Sequence, residues 1–141
     1  MSFREKSAWI TLVSVLACFG VYFFELVASH GQGRHLGALR SLHLLLLAVA
    51  ALVALQLALT AIAAATTAKD ERAADDERER MIQWRSRSLG YHVLLVLALV
   101  PFVALIFGHS AVDMANFALL AVVISALVVA VAQIVMFRRG Y

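Results

Sequence analysis

Hydrophobic positions along the chain neither alternate nor recur at helical spacing; they run almost unbroken through four blocks, residues 8–28, 42–66, 91–108 and 112–137. A membrane-crossing helix needs about 17–25 predominantly apolar residues; the first three blocks fall in that range and the fourth, at 26, just exceeds it. Polar or glycine-containing sequence separates them. The pattern predicts an all-α membrane protein, a single four-helix transmembrane domain over residues 1–141, with a short charged helix before helix 3.

Composition strengthens this reading. Hydrophobic residues make up 63% of the chain and charged residues 15%, whereas soluble domains are usually about half apolar and a quarter charged. The first block follows Arg4 and Lys6 and ends near Val27, Ala28 and Ser29, as a secretory signal would. Its apolar core of about 20 residues exceeds the roughly 7–15 of a signal peptide, so a retained helix is expected. The formal net charge of +3 does not point to direct nucleic-acid binding, because the basic residues sit at helix ends rather than on one soluble face.

Those basic residues bear on orientation instead. Arg4 and Lys6 precede helix 1, Arg34 and Arg40 lie in loop 1, six Lys and Arg lie in loop 2, and Arg138 and Arg139 close the chain. Placing both termini and loop 2 on one side gathers ten of the twelve there. The positive-inside rule assigns that side to the cytoplasm of a bacterial inner membrane. Trp9, Trp84, Tyr91, Phe137 and Tyr141 fall near the same interface, where amphipathic rings anchor.

Charge is concentrated in residues 69–88. From Lys69 to Arg87 there are six basic and six acidic side chains, twelve of the 21 in the chain. Acids lead and arginines follow, the order that complements a helix dipole. Arg72 with Asp76 and Asp76 with Arg80 have i,i+4 spacing, and Asp75 or Asp76 suits a helix start, with Asp76 and Glu79 at capping-box spacing. The pattern predicts a cytoplasmic helix from about Asp75 that either continues into helix 3 or breaks near Gly90. Asp76, Glu77, Arg78, Ile82, Trp84 and Arg85 form the candidate partner-docking surface or structural latch.

The run "DERERMIQWRSRSLGYHVLLV" resembles the central signature of a family of small, uncharacterised bacterial integral membrane proteins. The likeness rests on Asp76-Glu77-Arg78, Ile82, Arg85-Ser86 and Leu89-Gly90-Tyr91, with a similar opening at Phe3, Glu5, Lys6 and Trp9. It covers the entry to helix 1 and residues 75–95. The family brings no established activity; its association with genes for small helix-turn-helix regulators implies a signalling role.

Ala50, Ala54, Ala58, Ala61 and Ala65 of helix 2 repeat at spacings of four or three, a small-residue face that permits close helix approach. It reads as an oligomer contact or as packing within the four-helix unit, and internal packing is the expectation. Pro101 removes a backbone hydrogen bond and is expected to kink helix 3.

Motif chemistry gives no support to an enzyme. Cys18 is the single cysteine, so the paired thiols of a disulfide oxidoreductase are absent. No phosphate-binding glycine loop, zinc-protease motif or nucleophile elbow is present, and no cofactor is expected. Glu25 is an ionisable residue inside a span, a costly placement that often marks function. With Gln56, Thr60 and Asn116 it forms an intramembrane polar set, and Ser14, Cys18 and Glu25 share a face of helix 1. An aligned track would suit a small oligomeric transporter or channel; interhelical hydrogen bonding accounts for the same residues. His30, His35, His43 and His109 gather toward the opposite surface with Asp113, a donor set suited to Zn or Cu and thus to a metal sensor, though without a recognised ligand spacing. The leading expectation is a non-enzymatic protein that recruits a cytoplasmic regulatory partner through its charged helix.

Overall fold

In the computed structural model, residues 3–31, 37–66 and 77–139 are described. They form helices α1 (Phe3–Gly31), α2 (Ala38–Ala65), α3 (Glu77–Leu97), α4 (Val100–Ile106) and α5 (Ala111–Arg139), with no strand among the described residues. Helices follow from the solvent, because backbone amides in hydrocarbon must be satisfied within their own segment. α3 and α4 together make one apolar span, giving four membrane-spanning units arranged as a helix bundle.

The helices overrun the apolar blocks at nearly every end. α1 and α5 are each 29 residues long, about 44 Å at 1.5 Å per residue, against a hydrocarbon core of about 30 Å. Helical hydrogen bonding thus continues beyond the apolar blocks at residues 8, 28 and 137, and Arg4, Lys6 and Arg138 lie on these helical extensions.

α1 packs on α2 and α5, and α5 packs on α1, α3 and α4, so α5 is the central helix. Buried Val15 and Phe19 of α1 meet Val123 of α5, with Phe23, Leu45, Leu52, Leu119 and Leu127 around them. The buried residues Ala8, Val15, Phe19 and Tyr22 recur at seven, four and three along α1, the spacing that keeps one stripe against neighbouring helices. α5 is buried on two sides, with Val123 in this cluster and Ser125 against α3.

α3 and α5 approach closely at Gly90. Ile82, Ser86 and Gly90, at i, i+4 and i+8, form the buried face of α3. A Cβ on Gly90 would overlap the Val129 side chain and lie 3.4 Å from Ser125 Oγ. That hydroxyl donates a 2.7 Å hydrogen bond to the Gly90 carbonyl. Small residues thus admit close contact here, and not on α2. Ala50, Ala54, Ala58, Ala61 and Ala65 are all exposed, which corrects the expectation that they pack internally. α2 has α1 as its principal neighbour and uses other positions, including Ala48 and Ala63, for burial.

Helix 3 follows the first of the two courses expected of it. The charged segment and the span form one continuous α3 from Glu77 to Leu97, unbroken at Gly90. The break comes at residues 98–99, just before Pro101. Pro101 has no amide proton to donate to Leu97, and its ring clashes with that carbonyl; the chain tightens through a Leu99 amide bond to Val96 at 3.3 Å. The helix is thus interrupted next to Pro101, whereas Gly90 stays helical within α3.

α4 closes with a Schellman turn. Gly108 has φ +78°, its amide donates to Leu105 at 3.0 Å, and that of His109 donates to Ala104 at 3.2 Å. Gly108→Ala places a side chain in the left-handed region, which costs about 1–2 kcal/mol, offset in part by a stiffer unfolded chain. A net loss of about 1 kcal/mol is expected in a detergent unfolding titration; no loss would mean that the turn relaxes to another conformation. The next helix starts with a reciprocal cap: Ser110 Oγ donates to Asp113 Oδ2 at 2.7 Å, and the amides of Ser110 and Asp113 each bond the other side chain at 3.2 Å.

Candidate functional site

Two regions concentrate polar side chains. The first joins the starts of α1 and α3 to the end of α5. Arg4 Nε lies 3.1 Å from Glu79 Oε2, and Arg138 Nε lies 3.9 Å from Glu5 Oε1. The Arg138 guanidinium also stands over the Trp9 ring, 5.6 Å from its centroid, within cation–π reach. Exposed ion pairs contribute about 0–1 kcal/mol each; their value here lies in tying three helices at one end. Glu79 had been assigned only a capping role by spacing. Its interhelical partner was invisible without knowing which helices adjoin.

This arrangement divides the expected docking-or-latch set between two faces of α3. Ile82 is buried beside Ser86 and Gly90 against the bundle, on the same side as Glu79. Trp84, Arg85 and Met81 lie on the other side, with Trp84 82% and Met81 55% exposed. Glu77 and Arg78 are exposed at the helix start. Asp76 lies outside the described residues, and with it the caps and i,i+4 pairs that depend on it.

α3 and α4 together run from Glu77 to Ile106, 30 residues, or about 45 Å as helix. With about 30 Å needed for the hydrocarbon core and the apolar sequence lying beyond Arg87, roughly 15 Å of α3 rises clear of it. That projecting part holds both faces just described. Arg85 and Arg87 are exposed and form no ion pair among the described residues.

The second region lies toward the opposite end. The Tyr22 hydroxyl donates to Asn116 Oδ1 at 2.7 Å and lies 3.3 Å from Ser41 Oγ. All three residues are buried, so α1, α2 and α5 share one intramembrane hydrogen-bonded node. Asn116 belonged to the expected polar set, but Tyr22 and Ser41 did not; a Tyr amid Phe residues reads as core packing. The node borders a cleft of about 280 Å³ lined also by Leu42, Leu45 and Leu119.

The remaining polar candidates do not join it. Glu25 lies on a neighbouring groove between α1 and α2, with Tyr22 on the boundary of both. Thr60 is exposed, Gln56 is half-buried, and neither lines a described cleft with Glu25 or Asn116. Ser14 is fully buried while Glu25, on the same face of α1, is exposed. The side chains therefore do not form one continuous polar track among the described residues.

The histidines likewise go separate ways where they are described. His43 Nδ1 is 2.7 Å from the Leu39 carbonyl of its own helix. His109 meets Phe117 edge to face at 5.6 Å, and Asp113 is engaged in the α5 cap. His35 and the side chain of His30 lie outside the described residues. Among the described residues, no group of three His, Cys, Asp or Glu side chains is placed to hold a metal ion.

Comparison of the chain with protein-family models, with curated proteins and with solved structures found no match.

Proposed function

We propose that this is a non-enzymatic, multi-pass protein of a bacterial inner membrane that docks a cytoplasmic regulatory protein on the outward face of α3. The observation that carries the reading is the 82% exposure of Trp84 on a helix whose opposite face is fixed to the bundle. A rigid helix presenting Trp, Met and Arg together offers the side chains that dominate protein interfaces, and it loses little conformational freedom on binding.

Charge selects the partner's chemistry. Arg85 and Arg87 flank Trp84, so the complementary surface is acidic with an apolar pocket for the indole. The distribution of Lys and Arg supports a cytoplasmic placement of this end. The resemblance of residues 75–95 to small bacterial membrane proteins associated with regulators supports a signalling role.

Photo-crosslinking from positions 81 and 88, both exposed beside Trp84, in native membranes tests this directly. Wild type is expected to give adducts with one soluble acidic protein, reduced at least about tenfold by Trp84→Ala with Arg85→Glu, the scale of a hot-spot loss. Membrane insertion and thermal stability should be unchanged, because neither side chain packs in the bundle. Crosslinks to lipid alone, or the same protein captured by both forms, would show that Trp84 serves as an interfacial anchor instead.

A further inference from the structure

The groove between α1 and α2 carries a chemistry that is independent of the docking face. It has a volume of about 300 Å³ and is walled by Cys18, Leu44, Leu47, Ala48 and Ala51, with Glu25 the one carboxylate among its lining residues. That volume is at the lower end of small-molecule sites, about 300–1,000 Å³. Glu25 is exposed and has no ion pair or hydrogen bond among the described residues. It stands six residues before the end of α1 at Gly31, about 9 Å along the helix. A carboxylate within the apolar block of a span is a costly placement, and charges embedded in a bilayer are normally paired.

From these features we propose that the α1–α2 groove binds a small hydrophobic quaternary ammonium ion, with Glu25 as its counter-charge. Each alternative cation fails on the lining. A hard metal ion requires about six oxygen ligands, and the groove provides one carboxylate. A primary ammonium carries three N–H donors; among the side chains lining the groove only Glu25 and Tyr22 carry oxygen, and the Tyr22 hydroxyl is already engaged with Asn116 and Ser41. A quaternary ammonium makes no such demand, since it needs only negative charge and apolar or aromatic contact. The leucine and alanine walls supply the apolar part, and Tyr22 lines the same groove.

A zwitterionic lipid headgroup would bring its phosphate against the same carboxylate, so the occupant is a free cation. Asn116 then acts as a positioning residue. It touches the groove only through Tyr22, whose hydroxyl it holds from the far side of the α1 stripe.

Benzyltrimethylammonium is the probe, titrated calorimetrically into the full chain in a nonionic detergent, with uncharged neopentylbenzene as its isostere. Saturable binding is expected for the cation and not for the isostere. Glu25→Gln should weaken binding roughly tenfold or more, as removal of a desolvated counter-charge requires. Ala51→Phe, which fills the groove and leaves the carboxylate, should weaken it similarly, and helix content together with a monodisperse elution profile establishes that both variants are folded. A phosphocholine detergent should fail to compete. The proposal is overturned if wild type shows no saturable binding, if the isostere binds equally, if phosphocholine competes on equal terms, or if folded Glu25→Gln and Ala51→Phe both bind as wild type does.

Discussion

Gly90→Leu is expected to destabilise the bundle by about 3 kcal/mol, while Gly90→Ala loses about 0–2 kcal/mol. Two terms of opposite sign decide these values. Alanine in place of glycine favours a helix by about 0.8–1.0 kcal/mol, but any Cβ at this position overlaps Val129, and overpacking costs about 1–3 kcal/mol. Rotation of Val129 can relieve part of the clash for a single methyl. Leucine has no such outlet, because Ser125 Oγ and its carbonyl lie 3.4 and 3.5 Å from the same point. Reversible unfolding in mixed micelles measures both variants against wild type. Stabilisation of Gly90→Ala by the full propensity gain would mean that α3 and α5 stand farther apart than described.

Gly90 also shows why some of this fold was legible in the sequence and some was not. The spans could be read because bilayer thickness alone sets their length, and Pro101 could be read because its effect on helical hydrogen bonds is local. Helix adjacency has no such local signal. Ser86 and Gly90 have the same i,i+4 small-residue spacing as the alanines of α2, yet they sit in the charged segment, where attention falls on Arg and Glu. The more conspicuous stripe from Ala50 to Ala65 is exposed. Similarly, Asn116 was recognisable as an intramembrane polar group, while its partner Tyr22 lies 94 positions away on another helix, bonds Ser41 as well, and depends on packing to meet either. The docking-or-latch choice at residues 76–85 has a comparable cause: a linear motif does not reveal which face of its helix is covered.

The largest polar effect is expected from Tyr22→Phe, with a loss of about 1–2 kcal/mol in the same unfolding assay. An interhelical hydrogen bond in a membrane contributes about 0.6 kcal/mol on average and up to about 1.7, so removing the bond alone predicts a small change. Leaving a buried partner unsatisfied is what adds to it, at about 1–3 kcal/mol. Asn116 Nδ2 already lacks a partner among the described residues; without the Tyr22 hydroxyl its Oδ1 loses the donor as well. Asn116→Leu should cost less, since Tyr22 keeps Ser41 at 3.3 Å. The double variant Tyr22→Phe/Asn116→Leu should therefore be more stable than Tyr22→Phe alone. If it is less stable, the node holds the helices by shape and not by hydrogen bonding.

The central position of α5 bears on how the protein is made. Emerging from the ribosome in order, α1 and α2 form a hairpin whose principal contact is already available. α3 then enters with its small-residue face, Ser86 and Gly90, uncovered, and the Arg4–Glu79 pair ties it to α1. α5 arrives last of the described helices, yet it must settle between α1 and α3 and supply Val123 to one side and Ser125 to the other. Assembly thus resembles the setting of a keystone: the α1–α2 hairpin and α3 wait in the lipid as separate pieces, and the described bundle gains its cooperativity only when translation has delivered α5.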